Sequence, residues 1–248
     1  MMITIFTIAG SAVYAAEIPV SDQDQLITSS DWTEISNLQD EMKKEEPDAT
    51  IDYDKALKVY VDCNLIKLQT ADTKKLTSAL ESANYVWVIP FKMEKTYGMF
   101  TVAKGLPLRE EAKSVLTKAE QEEVKNHAGK WMITETAEHT VEPYYDILLE
   151  KREALSDCTR VVLVGSQPGM RQPVALGMDD ETARIWISLG YQYPVMEKIP
   201  ETQNVESGVY SFESVVEISD TYIEDSEVST GAGVQSRSSM KYVAGIGI

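Results

Sequence analysis

Tyr85-Val86-Trp87-Val88-Ile89-Pro90-Phe91, then Met93-Glu94-Lys95, then Tyr97 to Ala103, is the stretch on which the fold turns. β-Branched and aromatic side chains fit a pleated, half-buried surface, so the first run predicts a strand. Met93-Glu94-Lys95 turns the chain, Tyr97 to Ala103 returns as a second strand, and Gly105-Leu106-Pro107 closes the hairpin. Pro90 has no N–H to give to a ladder and therefore predicts an edge or a bulge.

Outward from this hairpin the pattern continues. Leu57, Val59 and Val61 alternate with Lys58, Tyr60 and Asp62, the period of a half-buried strand. Asp72 can cap a short helix whose stripe is Leu76, Ala79, Leu80 and Ala83. Downstream, Arg109 to His127 is expected to be the longest helix, burying Ala112, Val115, Leu116 and Ala119 and stopped by Gly129. Trp131 to Thr136 predicts a strand, and Pro143 opens a helix that carries Tyr144, Ile147, Leu148 and Leu155. Further strands are expected over Arg160 to Gly165, Pro173 to Gly177, the run with Ile185, Ile187 and Leu189, and the run with Tyr210, Phe212, Val216 and Ile218. The class is α+β.

Strand, helix, strand, strand occurs twice, about 75 residues apart. Leu57 to Val61 maps onto Met132 to Thr136, and Val86 to Ile89 onto Val161 to Val164. This order predicts an internal repeat: two such units with antiparallel hairpins, 51–108 and 128–219, joined by the long helix.

The 248 residues carry a formal charge of −17. A surface of that sign repels the phosphate backbone, so nucleic acid is not an expected partner. Hydrophobic residues at 43% and charged residues at 25% are globular values. The acidity is uneven: residues 17–50 carry −8, residues 201–248 carry −6, and the middle 51–200 only −3. The apolar run Ile3 to Ala12 is too short to span a hydrocarbon core of about 30 Å. It leads into Val13-Tyr14-Ala15, which predicts a signal peptide over 1–15 with cleavage at Ala15 or Ala16. The competing reading is a buried first strand. Residues 16–50 are then expected as an acidic linker with one short helix, 51–219 as the core, and 220–248 as a flexible acidic and then Gly/Ser-rich tail. No transmembrane span is expected in the mature chain, which points to a secreted or extracytoplasmic envelope protein.

No catalytic motif stands out. His127 closes the long helix, where a cation suits the dipole. His139 with Glu135 and Glu142 lacks metal-ligand spacing, and no His-Glu-x-x-His occurs. Ser166 in Gly165-Ser166-Gln167-Pro168-Gly169 has the chemistry of a turn rather than of a nucleophile elbow. Asp52, Asp54 and Asp179-Asp180-Glu181 lack the calcium-loop pattern, so no cofactor or metal is expected. Cys63 and Cys158 are either a disulfide or two buried thiols. The candidate ligand-binding residues are Trp131, Trp186, Tyr191 and Tyr193, aromatics near strand ends that could stack on a sugar or peptide. The function expected is noncatalytic binding of a protein, peptide or glycan. The alternative is an extracytoplasmic hydrolase or modifying enzyme whose site is assembled from scattered residues.

Overall fold

The structure, a computed structural model, describes residues 18–139, 142–165, 167, 172–190 and 208–217. The signal segment 1–15, the tail 220–248, Ser166, Tyr191 and Tyr193 lie outside the described residues. Over the described residues the chain is an α+β protein built on one mostly antiparallel sheet of nine strands.

Strands β2 (Leu57–Val61), β3 (Asn84–Lys92), β4 (Tyr97–Lys104) and β5 (Trp131–His139) form one antiparallel run. A second comprises β6 (Arg160–Val164), β7 (Val174–Met178), β8 (Ala183–Ser188) and β9 (Val209–Ser211). The halves join through β2 and β6, a parallel pair, giving the order β5-β4-β3-β2-β6-β7-β8-β9. The short β1 (Thr50–Ile51) adds to β3. This order corrects the expected repeat. In the first unit β2, β3 and β4 are neighbours; in the second, β5 pairs with β4 while β6 pairs with β2 and β7. The hydrophobic pattern is the same for any pairing partner, so element spacing alone could not distinguish the two arrangements.

Pro90 sits inside β3 rather than at an edge. It pairs with Met99 on β4, and its carbonyl accepts from Asp52 N at 2.9 Å on the opposite side. On that side the ladder passes from β2, whose register ends at Leu57↔Val88, to β1, which begins at Ile51↔Phe91. The missing N–H therefore falls where the ladder passes from one partner strand to the next.

Side chains alternate between two faces. One face carries Leu57, Val59, Val88, Val161, Leu163 and Ile187, covered by Tyr144 and Leu148 of α5 (Tyr144–Glu150) and by Leu155. On the other, Val162, Val164, Leu176 and Trp186 pack under Leu76 and Leu80 of α3 (Thr73–Ser82) and under Phe212 and Val215 of a helical turn at 212–217. Asp72 caps α3 by accepting from Lys74 N at 2.9 Å and Lys75 N at 3.2 Å. Further along that second face, Trp87, Ile89, Phe91, Phe100 and Val102 are covered by Ile35 of α1 (Trp32–Ile35) and Met42 of α2 (Gln39–Glu45).

The stretch expected as an acidic linker is built into the centre of this sheet. β2 and β6 are in register only at Val59↔Leu163 and Tyr60↔Val164, and residues 18–26 occupy the space before those pairs. Val161 N donates to Pro19 O at 2.7 Å, and Leu26 N donates to Ala56 O at 3.2 Å, so the strap supplies partners that the separated strands need. Ile18, Val20, Asp24 and Leu26 are all buried.

The expected helix from Arg109 to His127 is also corrected. It is a single 3-10 turn, Glu111–Ser114, followed by α4 (Lys118–His127). Thr117 starts a new helix there: its hydroxyl accepts from Glu120 N at 3.3 Å while Glu120 Oε2 accepts from Thr117 N at 2.7 Å. Val115, expected in the core, is 80% exposed.

Candidate functional site

Three features of the described residues bear on function. The first is a buried polar cluster beneath the strap. Asp24 is 2% exposed and accepts hydrogen bonds from Ser21 Oγ at 2.6 Å, Tyr60 Oη at 2.8 Å and Arg160 Nη2 at 3.2 Å. Lys58 Nζ stands 3.7 Å from the same carboxylate and 4.6 Å from the Tyr85 ring centre, and burial pushes its pKa down. Asp31 Oδ2 accepts from both Tyr85 Oη at 2.9 Å and Trp87 Nε1 at 3.0 Å. Apart from Arg160 Nε, which is buried without a hydrogen-bond partner, the groups of this cluster are paired with one another inside the fold, so it reads as structural.

The second is a cavity of about 420 Å³ at the end of the sheet where β2 and β4 finish and β3 and β5 begin. The loop after β4 and the loop before β5 are clamped together: Gly129 N donates to Gly105 O at 2.7 Å and Gly105 N to Lys130 O at 2.9 Å. Glycine is required at both places. A Cβ on Gly105 would lie 2.1 Å from the His127 carbonyl oxygen, and Gly129 has φ +75°. This clamp holds the end of α4 over the opening, so that Val124 and His127 line the cavity. Among its described residues α4 buries none, so it covers the cavity without being sealed to the sheet. The walls are mainly apolar, with Val61, Val86, Ala103, Leu106 and Met132 among them. Charged side chains line it as well: Lys104, Arg109 and Asp62, which are exposed, and Glu123, which is half-buried. Asp62 adopts φ 54° and its carboxylate accepts from Asn84 N at 3.1 Å and Asn84 Nδ2 at 2.6 Å.

Of the two described aromatics singled out from sequence, Trp131 and Trp186, Trp131 lies here. It lines the cavity, with the Tyr85 ring 5.9 Å away and Lys104 Nζ 5.4 Å from its ring centre. Trp186 is fully buried with Phe212 at 5.9 Å, because its side of β8 faces the turn at 212–217; it offers no surface to a ligand. Lys104, Arg109, Val124 and His127 were not singled out as ligand-binding residues, and no local motif marks them; the clamp between Gly105 and Gly129 brings them together.

A third feature, of about 650 Å³, lies between Ala71, Cys158, Arg184, Ser211, Glu213 and Glu217. Its cation Arg184 is already paired with Asp179. Burial pushes the Cys158 thiol up to about 11, the opposite of what a nucleophilic cysteine needs. Cys63 is likewise pushed up to about 11. The two are free, buried thiols in core clusters on opposite faces of the sheet, the second of the two arrangements that the sequence leaves open. Among the described residues no group of three or more His, Cys, Asp or Glu could hold a metal ion, and no helix is long and apolar enough to cross a membrane.

Fold and site together define an α+β protein with one mixed sheet and a ligand-sized cavity at the sheet's end. No family model, curated protein or solved structure matches the chain, so the functional reading rests on this geometry.

Proposed function

We propose that the protein is a noncatalytic binding module acting outside the cytoplasm, and that the cavity beneath α4 is its binding site. The observation that carries this reading is the cavity's make-up: a volume of about 420 Å³, within the range of small-ligand sites, with mainly apolar walls and charged lining residues of which Asp62, Lys104 and Arg109 are exposed. Such a site takes a small molecule or the terminal unit of a peptide or glycan, rather than a broad protein face. Its hydroxyl-bearing lining residue is Thr134, apart from Tyr85, whose hydroxyl donates to Asp31; Ser and Cys are absent from the described lining. The place outside the cytoplasm is supported by the Ile3 to Ala12 run ahead of Ala15.

Titration with the neutral dye N-phenyl-1-naphthylamine tests the site. One equivalent should bind, with loss of binding in both Ala103→Trp and Val124→Trp, which fill the cavity from the sheet and from the helix. Val124 is half-exposed, so its variant keeps the test valid if Ala103→Trp fails to fold. Undiminished dye binding in the folded Val124→Trp protein would overturn the assignment. N-terminal sequencing of the secreted product should begin after Ala15 or Ala16; an intact Met1 would contradict the signal peptide.

A further inference from the structure

We propose that the ligand of this cavity is a small amphiphile with an apolar body and a single anionic head, a carboxylate being the simplest form. The inference rests on the cavity being the binding site. Apolar walls formed by Val61, Val86, Ala103 and Met132 favour a ligand body that gives up little hydration on entry. The charged side chains lining the cavity then decide the head. Asp62 is already committed to Asn84 through two hydrogen bonds, at 3.1 and 2.6 Å. Glu123 and His127 are four residues apart on α4 and so share one face of that helix, the one that lines the cavity. Lys104 has its ammonium over the Trp131 ring, and Arg109 makes no ion pair among the described residues; both side chains are exposed. These two cations are left to meet a ligand, and an arginine fork suits a carboxylate or phosphate oxygen pair. The chain's net charge is −17, so attraction for an anion has to come from this local pair and not from the molecule as a whole.

Three ten-carbon probes that differ only in the head test the proposal: decanoate, decanol and decylammonium. Each is titrated below its micelle-forming concentration into the full folded protein, with tryptophan fluorescence and thermal shift as readouts. Decanoate should bind at least tenfold tighter than decylammonium, and tighter than decanol. The double variant Lys104→Glu/Arg109→Glu should remove the decanoate advantage while leaving decanol affinity within twofold. Equal binding of all three probes, a preference for decylammonium, or unchanged decanoate binding in the double variant would overturn the anionic head. The cavity assignment would survive any of these results if the neutral dye still depends on Val124. Failure of the dye and of all three probes would instead bring down the binding site itself, and the proposal with it.

Discussion

Removing the Asp24 carboxylate should be among the most damaging single changes in the molecule. The strap 18–26 fills the gap between β2 and β6, and Asp24 is its electrostatic anchor. In Asp24→Ala, Lys58 and Arg160, with side chains only 11% and 21% exposed, lose their shared counter-charge. Tyr60 Oη and Ser21 Oγ lose their acceptor at the same time. Breaking a buried pair from one side costs about 3–5 kcal/mol. Lys58 can relieve part of that by releasing its proton, since burial already lowers its pKa, so a loss of about 3–4 kcal/mol is expected. Asp24→Asn retains an acceptor for Tyr60 and Ser21 and should lose about 2 kcal/mol. Equilibrium urea unfolding at pH 7 measures both. With a slope of about 2 kcal/mol per molar, the Ala variant should shift the midpoint by about 1.5–2 M without changing the slope. Adding Lys58→Met to Asp24→Ala should recover part of the loss, because the stranded cation goes with it. A loss below about 0.5 kcal/mol for Asp24→Ala, or no recovery in the double variant, would refute the anchoring role.

Three further outcomes follow from the same structure. Cys63 and Cys158 should both resist a thiol reagent in the native protein and both react on unfolding, a two-thiol count that a disulfide would reduce to none. Stability should fall as pH rises above about 9. Cys63 and Cys158 are pushed up to about 11 and Tyr85 to about 12, so each keeps its proton in the fold after the unfolded chain has lost it; their contribution is complete below the unfolded values and lost upward through the folded ones. Each group steepens the decline by at most about 1.4 kcal/mol per pH unit. Tyr60, raised by burial, acts in the same sense, and Lys58, shifted down by burial, in the opposite one; thermal melts across pH 8–11 check the balance. Gly105→Ala should lower stability by about 1–3 kcal/mol and weaken dye binding together, because its Cβ would meet the His127 carbonyl oxygen at 2.1 Å. A Gly105→Ala protein with unaltered dye affinity would show that the clamp does not shape the cavity.

The strands were legible because their patterns are local. Tyr85 to Phe91, Leu57 to Val61 and Arg160 to Gly165 all announce β-structure through composition and alternation, and Asp72 announces a capped helix. The strap was not legible, because Ile18, Val20, Asp24 and Leu26 are spaced to suit two 3-10 turns and two isolated bridges, with no steady period. Its acidity suggested solvent, yet Asp24 is charged in order to meet Lys58 and Arg160, which lie 34 and 136 residues away in the chain. The break at Thr117 was overlooked although Thr117 and Glu120 carry the capping-box pattern, because the helical spacing of Val115, Leu116 and Ala119 obscured it. Trp131 was legible as a strand-end aromatic. Its companions Lys104 and Arg109 gain meaning only when the hairpin loop after β4 is tied to Gly129, a contact no local pattern encodes.

The most direct test of the binding-module account is an amide NMR map of the isotopically labelled protein titrated with decanoate. The account predicts saturable shifts concentrated in 103–109 and 123–134, with the adjoining 61–62 and 83–86, around the cavity beneath α4. Shifts centred instead on Arg184, Glu213 and Glu217, or spread evenly over both faces of the sheet, would contradict it.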